Sequence, residues 1–300
     1  MKEVIKQIKN NNIGRILENV SLAKYTTYHV GGIAKLMVYP KNEAKLKELL
    51  EIIENNHLKY KVLGNGSNVL FSDNLFNGII IKLDNFNFLE IKGTDINVGA
   101  GYNLIALTRI ACKKGLAGLE FAAGIPGTIG GAIYMNAGAY KSDMGYIVKN
   151  IRVLTPDLKI ITLTNKELDF HYRSSFLQKN KGYICLSANI KLYKGQKEAI
   201  EAVTKERKKR RLESQPLEYP SAGSVFRNPP DMFAGKLIED LNLKGKTIGG
   251  ALVSPKHANF IVNQGNAKAQ DIKELIYFVK NKVKEKYNVD LIIEQEEVNW

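Results

Sequence analysis

The 300-residue chain has only two cysteines, four histidines and one tryptophan. Cys112 and Cys185 lie far apart in apolar contexts, which excludes a disulfide scaffold and reads as two buried small hydrophobes of a reducing cytoplasm. The few histidines and cysteines have no ligand-like spacing, so no metal is expected. No run approaches the roughly 18 apolar residues of a membrane span, and no membrane partner is expected. The stretch Met1–Asn10 lacks a long apolar run and a cleavage site and does not read as a secretory signal. Acidic residues are outnumbered, 30 against 44 lysines and arginines, leaving a formal charge of +14. The excess is mostly lysine spread along the chain. Its densest cluster, Lys205–Arg211, falls on a helix-like segment from about Lys197 to Glu213. Such a cluster can contact nucleic acid or form a solvated helix face. Without an aromatic-rich basic strand or a helix-turn-helix pattern the second reading is preferred, and no nucleic-acid partner is expected. A general positive field suits an anionic small substrate.

Glycine, by contrast, is concentrated. Gly124-Ile-Pro-Gly-Thr-Ile-Gly-Gly-Ala132, continuing through Met135-Asn-Ala-Gly-Ala-Tyr140, holds five glycines and a proline within fifteen residues. Glycine lets backbone approach a ligand closely, and exposed N–H groups in such a loop suit a pyrophosphate, especially where a helix begins. A second loop, Leu63-Gly-Asn-Gly-Ser-Asn-Val-Leu70, lies upstream. Two glycine loops of different pattern suggest a large phosphate-containing cofactor held from two sides; the plainer reading is a pair of tight turns between strands. Neither is a P-loop, because Gly130-Gly131 is followed by Ala132-Ile133. Neither is a Rossmann fingerprint: Val69 and Leu104 stand where Gly64-x-Gly66 and Gly99-x-Gly101 would need a third glycine.

Hydrophobic periodicity predicts helices over Lys2–Asn12, Ala44–Ile53, Leu104–Lys114 and Ala269–Lys286, besides the charged helix after Lys197. Strands are predicted at Leu36–Tyr39, Lys61–Leu63, Gly78–Leu83, Val148–Leu154, Ile160–Leu163 and Tyr183–Leu192, with a hairpin at Phe88–Ile91 and Ile96–Val98. A terminal strand is predicted at Asp290–Glu294. The character changes near residue 195, dividing the chain into residues 1–195 and 196–300. Strands and helices mix without a regular βαβ rhythm, which indicates an α+β class.

Four places could carry chemistry. Ser224, in Ala222-Gly-Ser-Val-Phe-Arg-Asn-Pro229, sits beside glycine on a short strand; it is a nucleophile, a proton donor or a turn serine. Arg173, between aromatic residues in Phe170-His-Tyr-Arg-Ser-Ser-Phe176, offers a planar fork to carboxylate or phosphate, or makes a structural ion pair. His257 and Asn259, in Ser254-Pro-Lys-His-Ala-Asn-Phe260, line a pocket or are hydrogen-bonded structural residues. Of Glu294, Glu296 and Glu297, Glu294 follows the buried-type run Leu291-Ile-Ile293 and is expected to project inward, where a carboxylate can orient an intermediate or relay a proton.

Taken in order, these segments resemble the UDP-N-acetylenolpyruvoylglucosamine reductases, the MurB family of peptidoglycan synthesis. The likeness runs from about Asn19 to Glu294. It is carried by Thr26-Thr-Tyr-His-Val-Gly-Gly32, the two glycine loops, Asn136-Ala-Gly-Ala-Tyr140, Tyr172-Arg-Ser-Ser-Phe176, Gly223-Ser-Val-Phe-Arg-Asn-Pro229 and Lys256-His-Ala-Asn-Phe-Ile-Val-Asn263. The resemblance implies an FAD-binding domain of the vanillyl-alcohol-oxidase (PCMH) type, two α/β subdomains with a core over about residues 26–192, followed by an α+β substrate domain. It implies the shorter second subtype, a cytoplasmic monomer, NADPH as reductant and a UDP-sugar as substrate. It places Gly64, Asn65, Gly66, Ser67, Asn68, Gly124, Pro126, Gly127, Thr128, Gly130, Gly131, Ala132, Asn136 and Gly138 at the flavin. It makes Ser224 a proton donor and Arg173 and Glu294 stabilisers of an enolate. Tyr172, Arg227, Asn228, His257 and Asn259 are implied at the substrate, with Arg211 assisting. Another FAD-dependent oxidase of the superfamily, acting on a different alcohol or sugar, is the alternative.

Two departures stand out. Family C-termini commonly read Leu-x-x-Glu-Val, whereas here Leu291-Ile-Ile-Glu-Gln-Glu-Glu-Val298 offers three glutamates. Gapless alignment selects Glu294, because a gap inside a strand would reverse side-chain facing. His29 stands within a family motif where no fixed residue is expected, and no role is assigned to it.

Overall fold

The structure is a computed structural model describing residues 1–300. The chain divides into two compact units that do not follow sequence order. One comprises Met1–Glu18, Leu36–Gly64 and Asn77–Lys209; the other comprises Asn19–Lys35, Asn65–Phe76 and Arg210–Trp300.

The first unit is built on two sheets. One has four strands in the spatial order Gly14–Ser21, Ile33–Pro40, Phe76–Ile81, Lys59–Val62. The other has five, in the order Ile160–Thr164, Val148–Leu154, Ile184–Lys191, Asp95–Gly99, Leu89–Lys92. The predicted hairpin is present, with Leu89 opposite Val98 and Ile91 opposite Ile96 in antiparallel register. Helices α1 (Lys2–Asn10), α2 (Glu43–Asn55) and α3 (Leu104–Lys113) accompany these sheets. Helix α2 starts where the Asn42 side chain accepts a hydrogen bond from the Lys45 amide at 3.0 Å, and α3 starts likewise with Asn103 and Ala106 at 2.9 Å. Such caps satisfy donors that the first helical turn leaves open. Leu46, Leu49, Leu50 and Ile53 recur at helical spacing and are buried, as are Leu104, Leu107 and Ala111. Each such leucine or isoleucine contributes about 1.5–3 kcal/mol by leaving water, and Ala111 less. A short helix, α4 (Ile129–Tyr134), follows the second glycine loop, and α5 (Phe176–Lys179) follows the Arg173 turn. Helix α6 (Lys197–Ser214) buries only Ile200, but its basic cluster is not uniformly solvated: Arg207 and Arg211 are half-buried, and the Arg207 guanidinium lies 4.9 Å from the centre of the Tyr140 ring. Cys112 and Cys185 are free and buried, as expected.

The second unit has its own core of Tyr28, Val30, Leu70, Val225, Phe226, Ile238 and the inner face of the terminal helix. Helix α7 (Ala234–Asp240) packs against helix α8 (Ala269–Tyr287), which packs on a small antiparallel sheet, Thr247–Ile248, Ala251–Val253 and Ile261–Asn263. On α8, Ile272, Leu275, Ile276, Val279 and Val283 form the buried stripe, and Asn288 ends the helix in left-handed backbone at φ 55°. Asparagine tolerates that conformation better than most residues.

The terminal strand differs from expectation. Asp290–Glu294 forms no regular strand; it makes one isolated antiparallel bridge, Ile293 with Phe226. Ile292 is 61% exposed, while Leu291 is fully buried. The partner segment is too short to extend the ladder, since Gly223 turns away at φ 75° on one side and Pro229 follows on the other. Beyond Glu294 the chain changes partner, and Glu296–Val298 pairs in parallel with Val69–Phe71. No helix is long and apolar enough to cross a membrane.

Candidate active site

The first unit brings the two glycine loops into contact. A Cβ on Gly64 would lie 2.7 Å from Thr128 Oγ1, so only glycine permits the approach. Behind this loop the buried Lys82 ammonium donates to the Gly64 carbonyl at 2.5 Å and lies 3.4 Å from Asp84. Burial pulls the Lys82 pKa below its ordinary value, partly offset by Asp84.

The second loop divides into two parts. The amides of Ile129 and Gly130 donate to the carbonyls of Tyr102 and Ala100 at 2.9 and 2.8 Å, and the Ala132 amide donates to the Thr128 carbonyl. The Gly131 amide donates to Thr128 Oγ1 at 3.3 Å. The expectation of exposed amides therefore fails for the stretch from Ile129 to Ala132, because the start of α4 is already stitched to its neighbours. The amides of Gly124, Gly127 and Thr128 have no protein acceptor. These donors, beside a Gly64 turn that packs directly on Thr128, fit the diphosphate of FAD.

Asn136 and Gly138 support another feature. The buried Asn136 carboxamide donates to the His171 carbonyl at 2.9 Å and accepts from the Gly145 amide at 2.9 Å. His171 and Ser174 exchange both backbone bonds at 3.0 Å, so Tyr172 and Arg173 form the tip of a two-residue turn. Arg173 occupies left-handed backbone at φ 53°. That conformation disfavours any side chain and is tolerated where the surroundings impose it, commonly at functional sites. Arg173 Nη2 donates to the Gly138 carbonyl at 2.8 Å, and its guanidinium lies 5.1 Å from the centre of the Tyr172 ring. Tyr172 itself is 52% exposed.

The second unit gathers Ser224, Arg227, Asn228, Asn259 and Glu294 on adjoining segments, with Gly66 and Asn68 nearby. Gly66 has φ 65°, and a Cβ there would stand 2.1 Å from the Tyr25 carbonyl oxygen. Its own carbonyl accepts from the Thr27 amide at 3.1 Å. The Asn68 side chain donates to the Glu294 carbonyl at 3.1 Å, and the Asn68 carbonyl accepts from the Glu296 amide at 2.9 Å. The Glu294 amide donates to the carbonyl of Val225, the residue after Ser224, at 2.8 Å. Glu294 is half-buried through this local pairing and not through a buried strand. Glu297 is engaged elsewhere: it accepts from the Tyr277 hydroxyl at 3.1 Å and lies 3.8 Å from Lys273.

Asn259, expected as a polar pocket residue, is 4% exposed and clasps Phe226. Its side chain accepts from the Phe226 amide at 2.9 Å and donates to the Phe226 carbonyl at 2.8 Å. Its carbonyl also accepts from the Val225 amide at 2.9 Å. The side chain thus acts as one rung of a strand. His257 Nδ1 accepts from the Asn259 amide at 3.2 Å, and burial lowers the pKa of the ring below its ordinary value. Asn228 Oδ1 accepts from the Ala234 amide at 3.1 Å, at the start of α7.

The sequence reading missed Gln295, which no motif marks. Between two glutamates it looks like part of an exposed acidic tail, yet it is 4% exposed.

The two-sheet fold with these glycine loops defines an FAD-binding oxidoreductase. The family described as "FAD binding domain" matches residues 34–164, and "UDP-N-acetylenolpyruvoylglucosamine reductase, C-terminal domain" matches residues 215–298. A curated UDP-N-acetylenolpyruvoylglucosamine reductase of Anoxybacillus flavithermus is 46% identical over 297 residues, 99% of this chain and 98% of that protein. The crystal structure of the enzyme of that class (MurB) from Thermus caldophilus superposes with a TM-score of 0.82 at 36% identity, covering 95% of this chain and 99% of that one. A glucose dehydrogenase structure, 12% identical with a TM-score of 0.50 over 65% of this chain and 44% of its own, shares the fold alone. The chain belongs to the UDP-N-acetylenolpyruvoylglucosamine reductase family.

Proposed function

We propose that this protein reduces UDP-N-acetylglucosamine enolpyruvate to UDP-N-acetylmuramate for peptidoglycan synthesis, as a cytoplasmic monomer, with FAD as cofactor and NADPH as reductant. Residues 1–195 serve chiefly the flavin and 196–300 the substrate. The observation that carries the reading is the segment after Ser224, whose Val225 carbonyl accepts from the Glu294 amide. This supports Glu294, and not Glu297, as the carboxyl that acts with Ser224.

The amides of Gly124, Gly127 and Thr128, together with the Gly64–Asn68 loop, would hold FAD. The flavin, once reduced by NADPH, would supply hydride for the terminal carbon of the enolpyruvyl group. Negative charge then develops over the neighbouring carbon and the carboxylate of the substrate. Arg173, preset by its strained turn, offers a guanidinium fork to that charge, and Glu294 hydrogen-bonds it. Ser224 gives its hydroxyl proton to the carbon next to the carboxylate, and the basicity of the enolate drives the transfer. Tyr172 and Arg227 contact the substrate, whose diphosphate and carboxylate match the net charge of +14. Asn228, His257 and Asn259 act by holding the Ser224–Arg227 segment and α7.

The test is an anaerobic visible spectrum. Flavin absorbance should bleach with NADPH and return on adding the enolpyruvyl UDP-sugar. With Ser224→Ala, bleaching should persist while the return slows by orders of magnitude. Flavin that bleaches but never returns would favour an oxidase acting on another alcohol or sugar.

A further inference from the structure

We infer that Gln295 is a positioning residue for the Ser224 hydroxyl, acting through the backbone of Ala222, Gly223 and Ser224. The inference rests on the reading of Ser224 as proton donor. Gln295 Nε2 lies 3.2, 3.2 and 3.4 Å from the carbonyl oxygens of these three consecutive residues. A carboxamide nitrogen has two protons, so three carbonyls converging on it form a closed bowl around a single donor. Such a bowl curls the backbone, and Gly223 at φ 75° supplies the bend.

The other end of the carboxamide is fixed as well. The Tyr28 hydroxyl donates to Gln295 Oε1 at 2.9 Å. Tyr28 is fully buried, and burial raises its pKa, so the phenol stays protonated and remains a donor. That bond determines which end of the amide is oxygen and therefore aims Nε2 at the carbonyls. Tyr28 is itself anchored, since its carbonyl accepts from the Asn263 side chain at 3.0 Å. The neighbours of Gln295 are held too: Asn68 bonds the Glu294 carbonyl and the Glu296 amide on either side. The Glu294 carboxyl and the group that shapes the Ser224 loop thus sit on consecutive residues. A polar side chain buried in this way is costly unless every bond is made, so the network admits one arrangement. A proton donor works only if held within a fraction of an ångström of its target carbon.

The experiment uses the holoenzyme and compares Gln295→Met, Gln295→Glu, Tyr28→Phe and Ser224→Ala in rapid-mixing half-reactions. For Gln295→Met, flavin bleaching by NADPH should stay within about twofold of wild type. Reoxidation by the enolpyruvyl UDP-sugar should slow by about tenfold or more, and its solvent deuterium isotope effect should increase as proton transfer becomes limiting. Gln295→Glu should restore reoxidation at low pH, where the protonated carboxyl can donate to the bowl, and lose it as pH rises and a carboxylate faces three carbonyls. Wild type should show no such loss. Tyr28→Phe should slow reoxidation by a smaller factor, and it carries the same test if Gln295→Met does not fold. Unchanged reoxidation and isotope effect in Gln295→Met or, failing that, in Tyr28→Phe, with Ser224→Ala impaired, would overturn the positioning role alone. Normal reoxidation in Ser224→Ala would overturn the proton-donor reading beneath it.

Discussion

Replacing Asn259 with leucine isolates one interaction whose cost can be worked from distances. Leucine matches asparagine closely in shape, so it leaves little cavity and no gross overpacking. It deletes the acceptor of the Phe226 amide at 2.9 Å and the donor to the Phe226 carbonyl at 2.8 Å. Phe226 is 2% exposed, so water does not reach either group. A buried backbone group left without a partner costs about 1–3 kcal/mol, giving about 2–6 kcal/mol for the two. The bond from the Val225 amide to the Asn259 carbonyl is backbone to backbone and survives. Equilibrium urea unfolding followed by circular dichroism should show a lower midpoint at an unchanged slope. Asn259→Asp sharpens the test: one oxygen still accepts from the Phe226 amide, but the other faces the Phe226 carbonyl. Its cost should therefore grow with pH as the carboxyl ionises. Because Phe226 lies two residues after Ser224, flavin reoxidation should slow in both variants while bleaching by NADPH persists. A loss below about 0.5 kcal/mol in Asn259→Leu would refute the argument that this clasp stabilises the segment.

Arg173→Gly should change unfolding free energy by no more than about 1 kcal/mol, because glycine adopts φ 53° freely and this offsets the lost bond to the Gly138 carbonyl; reoxidation should collapse. Arg173→Lys should also impair reoxidation, since lysine keeps the charge without the fork, and wild-type rates in single-turnover mixing would count against an enolate contact. Gly66→Ala forces a Cβ to within 2.1 Å of the Tyr25 carbonyl at φ 65°, so the purified protein should carry markedly less FAD. A normal ratio of flavin to protein absorbance would contradict that. His257 is held below its ordinary value of 6.5 by burial. The unfolded chain therefore takes up the proton first, so this contribution to stability is complete above about pH 6.5 and is lost as pH falls through the depressed folded value. His257→Gln should lessen the drop in thermal midpoint between about pH 7.5 and about pH 5.5, and an unaltered drop would exclude His257 as a source.

Much of the scaffold was legible before the structure. The helices beginning at Glu43, Leu104, Lys197 and Ala269 and the hairpin around Gly93 announced themselves through local signals: capping asparagines, leucines at helical spacing and alternation in short strands. The Asp290–Glu294 segment was misread for a reason that lies outside it. Leu291-Ile-Ile293 is as apolar as a strand, but its partner around Phe226 is curtailed by Gly223 and Pro229. Asn259 was legible as a residue of interest but not as a backbone mimic, because its partner is 33 positions away.

Composition and glycine spacing were sufficient to indicate a phosphate-bearing cofactor, because dense glycine lets backbone amides approach a pyrophosphate, while the family, FAD and the reaction were indicated only by the resemblance of the ordered motifs to the MurB family. They were silent on three matters. Asn19–Lys35 and Asn65–Phe76 pack with the C-terminal unit. The amides from Ile129 to Ala132 are engaged within the protein, which leaves them no part in an anion site. Gln295, in a row of glutamates, is the one buried side chain, bonded to Tyr28 at a separation of 267 residues. Each of these depends on which distant segment supplies the partner for a buried polar group. Hydrogen bonds are satisfied across space, whereas local sequence encodes only the propensities and periodicities of neighbours along the chain.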